Sequence, residues 1–343
     1  MAEFLREHTT LRLGGPARHW VTATSEDELV AAVSAADEAG EPVLVLGGGS
    51  NLVVGDQGFS GTVVQIGTRG IDADVEAGEG ASCSGATVTV AAGERWDDLV
   101  AHAVDAGWTG IEALSGIPGQ VGATPIQNVG AYGQEVAQTI ASVRTWDRHD
   151  RAQRTFAAAD CGFGYRTSRF KAEPGRYVVL AVTFQFRQGT LGAPVAYAEL
   201  ARTLGVEQGE RAPLTAVRQA VLGLRAGKGM VLDPADHDTW SAGSFFTNPV
   251  VAPDVVPPGA PAWPQPDGSV KTSAAWLIEH AGFAKGHGNA AVSLSTKHTL
   301  ALTNRGHATA ADLLALAREV RDGVEQRFGI RLVNEPVLVG CDL

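Results

Sequence analysis

The sequence predicts a protein of mixed helices and strands, divided into two or three lobes. Its 343 residues exceed what one hydrophobic core usually serves. A content of 44% hydrophobic and 19% charged residues is typical of a globular chain rather than a disordered one. In addition, short apolar segments alternate with helical periodicity in the N-terminal third.

Each predicted element has a local signal. Ser25 and Glu28 form a capping-box pattern that opens a helix over residues 25–39, and Thr309 with Asp312 opens another over 310–328. Apolar periodicity predicts further helices over 96–106, 213–226 and 273–281. It predicts strands over 42–46, 61–66, 86–92, 140–147, 177–186 and 331–339. Residues 114–133 read as an ordered functional loop, and the Pro-rich stretch 249–266 as an irregular surface connection.

Charge and cysteine content exclude several classes. A net charge of −11 argues against nucleic acid or an anionic membrane surface as partner. The cysteines (Cys83, Cys161 and Cys341) are odd in number and show no C-x-x-C spacing, so we expect a reducing compartment and no metal site. The N-terminus lacks a leader pattern, and no apolar run approaches the roughly 20 residues of a spanning helix. We therefore expect a cytoplasmic protein.

Two glycine-rich segments favour ligand binding. Gly47–Gly48–Gly49 follows a predicted strand, where backbone N–H groups can line a concavity for phosphate, although an ordinary tight turn is the alternative. The segment matches neither the dinucleotide fingerprint nor the P-loop. Residues 115–133 hold five glycines among Ile, Val and Pro. Such a loop suits a flat apolar object with polar edges, such as a flavin; a long surface loop is the alternative.

Charged and hydroxyl side chains mark the remaining candidates. Arg166 lies in a cationic loop beside Tyr165, and its guanidinium is suited to a carboxylate or phosphate; a solvated basic loop is the alternative. Glu335 lies in an apolar segment, where it is either functional or exposed on an edge strand. Ser244 lies between Gly243, which leaves room for a close approach, and two phenylalanines, which can exclude water from its hydroxyl. Its hydroxyl suits the transfer of one proton, and a buried turn is an equally good reading.

Taken together, these segments resemble the UDP-N-acetylenolpyruvoylglucosamine reductase family. Residues 47–52, 116–133, 162–170, 243–249 and 334–336 occur in the family's order and at comparable spacing over the whole chain. The resemblance implies an α+β architecture: an FAD-binding fold of the vanillyl-alcohol-oxidase type in two lobes, with a separate substrate lobe. The implied bounds are 1–67 and 68–212 for the FAD lobes and 213–331 for the substrate lobe. A last segment, 332–343, returns to the active site.

The resemblance also implies roles for particular residues. Ser244 matches the family's proton donor, and Arg166 and Glu335 match its other catalytic residues. Non-covalent FAD is expected to contact Gly47, Gly48, Gly49, Ser50, Asn51 and Leu52 in the first loop, and Ser115, Gly116, Ile117, Pro118, Gly119, Gly122, Ala123 and Ile126 in the second. The expected substrate contacts are Tyr132, Tyr165, Tyr197, Arg225, Lys228, Asn248, Trp263 and His298. For His298, a satisfied core histidine is as good a reading.

The implied activity is an NADPH-dependent reduction of UDP-N-acetylglucosamine enolpyruvate during peptidoglycan synthesis, by a monomer. The segment 194–200 resembles the longer subtype, in which a tyrosine on a mobile loop closes over the UDP part; Tyr197 is that residue here. This chain departs from the subtype at Trp263, where a tyrosine can occur, and in extra residues between Lys228 and Ser244. Two alternatives stay open at this point: an FAD-dependent sugar or lactone oxidase of the same fold, and a non-catalytic nucleotide-sugar-binding flavoprotein.

Overall fold

The computed structural model describes residues 3–75 and 85–343, so Met1, Ala2 and Cys83 lie outside the described residues. The helices are α1 (Glu26–Glu38), α2 (Trp96–Asp105), α3 (Arg169–Ala172), α4 (Ala198–Leu204), α5 (Leu214–Gly227), α6 (Ala274–His280) and α7 (Ala310–Phe328). The strands are β1 (Ala17–Ala23), β2 (Val43–Leu46), β3 (Leu52–Val54), β4 (Phe59–Ile66), β5 (Ile71–Val75), β6 (Gly85–Ala91), β7 (Trp108–Thr109), β8 (Gly130–Ala131), β9 (Gln134–Glu135), β10 (Ile140–Asp147), β11 (Ala152–Ala157), β12 (Tyr177–Gln188), β13 (Val250–Val251), β14 (Ala262–Pro264), β15 (Val270–Thr272), β16 (Val292–Leu294), β17 (Leu302–Asn304) and β18 (Val337–Val339).

The chain forms two compact units, each built from separated stretches of sequence. The large-sheet unit comprises Arg18–Gly48 and Ser60–Ala226, and the C-terminal unit comprises Met1–Ala17, Gly49–Phe59 and Gly227–Leu343. The predicted lobe bounds at 67, 212 and 331 describe contiguous segments instead, and they stay a prediction. Among the described residues, no helix has both the length and the apolar character needed to cross a bilayer.

The large-sheet unit is built on an antiparallel sheet with the order β11-β10-β12-β6-β5, to which β7 adds beside β12. The long strand β12 is buried over most of its length, as its run of Val, Leu and Phe predicts. The apolar face of α2 contributes Trp96, Leu99 and Val100 to the same core. A second sheet, β1-β4-β2, contains the parallel pair β2–β4, and β2 ends at the first glycine-rich turn.

The C-terminal unit is organised around α7. As predicted, Thr309 and Asp312 form a reciprocal capping box at its start. Its buried face packs in a core that includes Phe245, Phe246 and Leu277. Strand β18 pairs in parallel with β3, directly after the first glycine-rich turn. The chain's last segment therefore lies beside that turn.

Two element predictions were wrong. Residues 249–266 are not irregular throughout, because β13 and β14, near the two ends of the stretch, both pair with β15 in a three-stranded sheet. The last strand does not span 331–339; only β18 is regular. Pro336 supplies no N–H donor, and the residues before it pair with the Ser244 segment instead. The sequence reasoning also missed β1, β5, β11 and α4.

Candidate functional site

Backbone hydrogen bonds hold the Ser244 segment on both sides. The Phe245 N–H donates to the Leu300 carbonyl at 2.7 Å, and the Phe245 carbonyl accepts from the Glu335 N–H at 2.8 Å. One residue further, Phe246 bridges Asn334 in antiparallel register. Ser244 and Glu335 thus belong to adjacent, mutually paired segments. This is the arrangement that a shared site requires.

The neighbours of Ser244 fix the turn, and the role of Gly243 differs from the one that the sequence predicted. Phe245 and Phe246 are each 1% exposed within the core, so they anchor the turn there. Ser244 itself is half-buried. Gly243 has φ +72°, and a side chain there would meet open space. Its glycine is therefore required by backbone conformation and not by a close approach, as we had supposed.

The first glycine-rich turn reaches the Glu335 segment through Asn51. The Asn51 Nδ2 donates to the Glu335 carbonyl at 3.3 Å, and the Asn51 carbonyl accepts from the Val337 N–H at 2.9 Å. Gly49 has φ +59°, and a Cβ there would overlap the carbonyl of His8. Within the C-terminal unit, the structure therefore brings Asn51, Ser244 and Glu335 together.

In the large-sheet unit, the two glycine-rich loops touch each other. A Cβ on Gly48 would lie 2.7 Å from the Cα of Gly119, and one on Gly122 would lie 2.5 Å from the Cβ of Ala92. These glycines let two stretches of protein approach each other closely. The sequence had instead predicted that they allow the approach of a ligand. Ala123 and Ile126 are exposed and stay available to a ligand.

Gln120 lies where these loops meet and indicates how the loops fit a cofactor. Its Nε2 donates to the Ile66 carbonyl at 3.0 Å. Its Oε1 is buried and has no hydrogen-bond partner in the part of the chain that the structure describes. This oxygen would be 3.1 Å from a Cβ on Gly47. A buried acceptor normally has a donor, so a polar group of a bound cofactor fits this position.

Asp97 fixes the second loop, and the sequence reasoning missed it. The Gly116 N–H donates to the Asp97 carboxylate at 2.6 Å, and Arg218 of α5 binds both carboxylate oxygens at 2.7 and 2.9 Å. Burial by itself would raise the pKa of Asp97, but the hydrogen bonds from Arg218 and Gly116 outweigh it and lower the pKa below its ordinary value. The carboxylate therefore stays ionised and holds the loop.

Arg166 lies in a loop with strained backbone. Its φ is +52°, and Asn128 and Tyr132 also have left-handed φ values of +47° and +49°. The Arg166 guanidinium donates to the Gly130 carbonyl at 2.6 Å and to the Asn128 carbonyl at 3.3 Å. Tyr165 is 36% exposed beside it. Strain of this kind is concentrated at functional sites, and it marks this loop independently of the charge pattern.

Asn128 joins the loop that contains Arg166 to the residues that follow the second glycine-rich loop. The sequence reasoning did not identify it as a functional candidate. Its Nδ2 donates to Glu135 and to the Gly164 carbonyl at 2.8 and 3.1 Å, while its Oδ1 accepts from the Ala137 N–H. Only 1% of Asn128 is exposed. A buried side-chain amide that uses both ends fixes the relative position of the segments it joins.

Besides Tyr165, three predicted substrate residues lie in the large-sheet unit. The rings of Tyr132 and Tyr197 meet edge to face with 5.5 Å between centroids, and Tyr197 is 46% exposed at the start of α4. Arg225 lies near the end of α5, where burial lowers the pKa of its guanidinium to about 10. Arg225 therefore remains a cation at neutral pH.

The other predicted substrate residues belong to the C-terminal unit. Asn248 Oδ1 accepts from the Ala274 N–H at 3.0 Å, so this oxygen already supports the start of α6. Trp263 is 45% exposed on the edge strand β14, and His298 is half-buried in the turn before β17. Lys228 directly follows α5 and is half-buried.

The extra residues between Lys228 and Ser244 form an ordered loop anchored by Asp238, another residue that the sequence reasoning missed. The buried Asp238 accepts from the Thr296 N–H at 3.0 Å, from the Thr296 hydroxyl, and from Arg305 at 2.8 Å. Gly229 packs against the Asp238 carbonyl, where a Cβ would lie 3.0 Å from the oxygen. The loop thus folds back onto the residue next to Lys228.

The comparisons with known proteins identify the family of the chain. Residues 17–155 match a family model described as an FAD binding domain, which defines the chain as a flavoprotein. Residues 233–339 match a second model, described as the C-terminal domain of UDP-N-acetylenolpyruvoylglucosamine reductase. The chain belongs to the UDP-N-acetylenolpyruvoylglucosamine reductase family, whose members are FAD-dependent oxidoreductases. The predicted family and enzyme class are confirmed.

Individual relatives share nearly the whole chain. The reductase of Cutibacterium acnes is 64% identical over 98% of this chain and 89% of its own length. The reductase of Streptomyces avermitilis is 57% identical over 98% of this chain and 93% of its own length. The crystal structure of the Thermus caldophilus reductase is 26% identical, covers 99% of this chain and 98% of its own, and gives a TM-score of 0.67. The predicted α+β, FAD-binding fold is confirmed as well.

Proposed function

We propose that this chain uses electrons from NADPH to reduce the enolpyruvyl ether of UDP-N-acetylglucosamine enolpyruvate to UDP-N-acetylmuramate, a step in peptidoglycan synthesis. The observation that carries the proposal is the pairing of the Ser244 and Glu335 segments beside Asn51. This pairing brings Ser244, with its hydroxyl, and Glu335, with its carboxylate, onto neighbouring backbone segments beside the first glycine-rich turn. Family membership supports the substrate.

The chemistry of the substrate determines what the protein must supply. When bound, FAD relays a hydride from NADPH to the terminal carbon of the enol ether. Negative charge then develops on the carbon next to the carboxylate and on the carboxylate itself. Saturation of the double bond is completed by one proton on that carbon. The protein therefore needs a cation for the carboxylate and a proton donor for the carbon.

We assign the proton to the Ser244 hydroxyl and the carboxylate to Arg166. The two carbonyl contacts of the Arg166 guanidinium, to Gly130 and Asn128, orient it in advance, so stabilising the developing charge requires little reorganisation. Glu335 is assigned to orienting a water molecule at the site. We assign FAD, held without a covalent bond, to the loops around Gly47 and Gly116. Gln120 offers it the buried Oε1 acceptor.

The remaining predicted residues are assigned to the substrate's nucleotide end. Lys228 and Arg225 supply cations for the diphosphate. Tyr132, Tyr165, Tyr197, Asn248, Trp263 and His298 supply aromatic or polar contacts. Trp263 is exposed on an edge strand, where its ring is available to stack on a base.

An anaerobic titration separates this function from its alternatives. NADPH is expected to bleach the visible absorbance of the flavin, and UDP-N-acetylglucosamine enolpyruvate is expected to restore it with formation of UDP-N-acetylmuramate. A flavin that NADPH does not bleach would contradict the proposal and favour a binding protein. A reduced flavin that only oxygen reoxidises would favour an oxidase.

We also propose that the protein acts as a monomer in the cytoplasm. Cys161 and Cys341 are free thiols, and burial raises the pKa of Cys161 to about 11. Unpaired thiols fit a reducing compartment. Light scattering coupled to size-exclusion chromatography is expected to give a mass near 35.6 kDa. Twice that mass would contradict the monomer.

A further inference from the structure

Glu112 is a carboxylate with none of its surface exposed. It lies in the short turn Glu112–Leu114, immediately before the second glycine-rich loop. Its Oε2 accepts from the Gly110 N–H at 2.6 Å. Its Oε1 accepts from the Gln134 Nε2 at 2.8 Å and from the Ala193 N–H at 2.6 Å. Enclosing a carboxylate is costly unless its oxygens are hydrogen-bonded, and here three donors meet that cost.

Three segments that are distant in sequence meet at this carboxylate. Gln134 makes a second bond to the segment that contains Glu112, because its Oε1 accepts from the Ala113 N–H at 2.8 Å. The third segment approaches so closely at Gly192 that a Cβ there would lie 2.6 Å from the Glu112 Oε1. Glu112 therefore ties residues 110–113 both to residue 134 and to residues 192–193.

The two joined segments carry the tyrosine pair. Tyr132 lies two residues before Gln134, and Tyr197 lies four residues after Ala193. Between them, Gly133 has φ +85°, and a Cβ there would lie 2.9 Å from the Cβ of Ala196. The rings of Tyr132 and Tyr197 are in edge contact. The contact between the Tyr197 and Tyr132 rings thus depends on how Glu112 holds Gln134 and Ala193 together.

We propose that Glu112 is a positioning residue that sets the placement of Tyr197 against Tyr132, and through it the affinity for the uridine diphosphate part of the substrate. This inference rests on the proposed function, in which Tyr197 contacts that part. Because none of its surface is exposed, Glu112 is assigned no contact with cofactor or substrate. Its effect therefore appears in substrate binding rather than in the reduction of the flavin by NADPH.

The substitution Glu112→Gln keeps the shape and replaces one acceptor oxygen with a donor. If the amide oxygen faces Ala193, the Gly110 N–H loses its acceptor; if it faces Gly110, the Gln134 Nε2 and the Ala193 N–H both lose theirs. Loss of one hydrogen bond to a buried charge corresponds to about a tenfold effect. We expect the KM for UDP-N-acetylglucosamine enolpyruvate to rise about tenfold, with the rate of flavin bleaching by NADPH changed less than about twofold. The exposed Glu207→Gln serves as the matched control.

A double substitution distinguishes positioning from general loss of structure. Tyr197→Ala should raise the same KM by itself, and adding Glu112→Gln should then change it little, because the residue through which Glu112 acts is gone. A full tenfold effect of Glu112→Gln in the Tyr197→Ala background would overturn the proposal. So would an unchanged KM in the single variant.

A swapped pair keeps the test valid if the single variant folds poorly. In Glu112→Gln with Gln134→Glu, the new amide donates to the new carboxylate and its oxygen still accepts from Gly110. The Ala193 N–H alone then loses its acceptor. We expect normal FAD content with the KM still raised, and a KM restored to the wild-type value would overturn the role of the Ala193 contact. If substrate fails to reoxidise the reduced wild-type flavin, the proposed function falls first, and this inference with it.

Discussion

At the residue scale, the Ser244 hydroxyl lies on a turn that three features hold in place. Gly243 supplies the left-handed backbone, Phe245 and Phe246 anchor the turn in the core, and the Glu335 segment pairs beside it. Because backbone contacts and the core fix this turn, the turn is expected to keep its conformation when the Ser244 side chain is removed. Ser244 can therefore be tested by substitution without disturbing its neighbours.

Ser244→Ala is predicted to leave flavin reduction by NADPH intact and to slow flavin reoxidation by substrate roughly 10²–10⁴-fold, the range for a positioned general acid. Stopped-flow absorbance measures each half-reaction separately. The control is Thr247→Ala, a hydroxyl three residues along the same paired segment. An equal loss in both half-reactions would rule out the role of proton donor.

Asp97 leads to a second prediction at this scale. The Gly116 N–H and the Arg218 Nη1 both donate to the Asp97 Oδ1, and the Arg218 Nη2 donates to the Oδ2. Asp97→Asn removes the charge and the second acceptor oxygen, so the second glycine-rich loop loses its charge-assisted support. We expect FAD to bind about tenfold more weakly, from the loss of one charge-assisted hydrogen bond. Flavin fluorescence during titration of the FAD-free protein measures this. Asp98→Asn, on the same helix and exposed, should not change it.

The residue chemistry of this site was partly predictable from the sequence. Arg166, Ser244 and Glu335 stand out because a charge or hydroxyl interrupts an apolar or small-residue run. Asp97, Glu112 and Asn128 do not stand out, because a polar residue in a helix or loop ordinarily faces water. Their importance comes from partners 19 to 121 positions away, such as Gly116, Arg218 and Ala193, which local pattern does not show.

At the element scale, local signals located the capped helices well. Ser25 and Thr309 begin α1 and α7 as predicted. The failures have tertiary causes: β13, β14 and β15 are two or three residues long and gain their definition from pairing with one another. In the glycine-rich loops the composition predicted close backbone approach correctly, but at Gly48 and Gly122 it is protein that approaches.

The loop of residues 230–240 gives a prediction at this scale. Asp238 accepts from Arg305 and from Thr296, and it is only 5% exposed. Asp238→Asn removes the charge and leaves a donor facing one of these groups, so we expect a loss of about 2–3 kcal/mol in the free energy of unfolding. Urea denaturation measures this. The control is Asp233→Asn, in the same loop but exposed; an equal effect there would contradict the anchoring role of Asp238.

At the scale of the whole molecule, the large-sheet unit contains an acid-sensitive point where β10 ends. Asp147 is 1% exposed and accepts from Arg176 at 2.8 Å and from the N–H groups of His149 and Asp150. The hydrogen bonds from Arg176 are the main cause that lowers the pKa of Asp147 below its ordinary value. A carboxylate whose folded pKa is lowered stabilises the fold above its unfolded pKa, which is about 3.9. That stability is lost as the pH falls further, through the folded value.

Asp147→Asn is therefore predicted to lower stability at neutral pH and to make it less dependent on pH in acid. We expect the variant to lose about 1–2 kcal/mol at pH 7, since Arg176 remains a third exposed. The difference from wild type should shrink as the pH falls from about 4 toward 2, because the protonated wild-type carboxyl then resembles the amide. Thermal unfolding over this range, with exposed Asp254→Asn as control, tests the sign. A difference that stays constant would mean that Asp147 stabilises the unit by shape and not by charge.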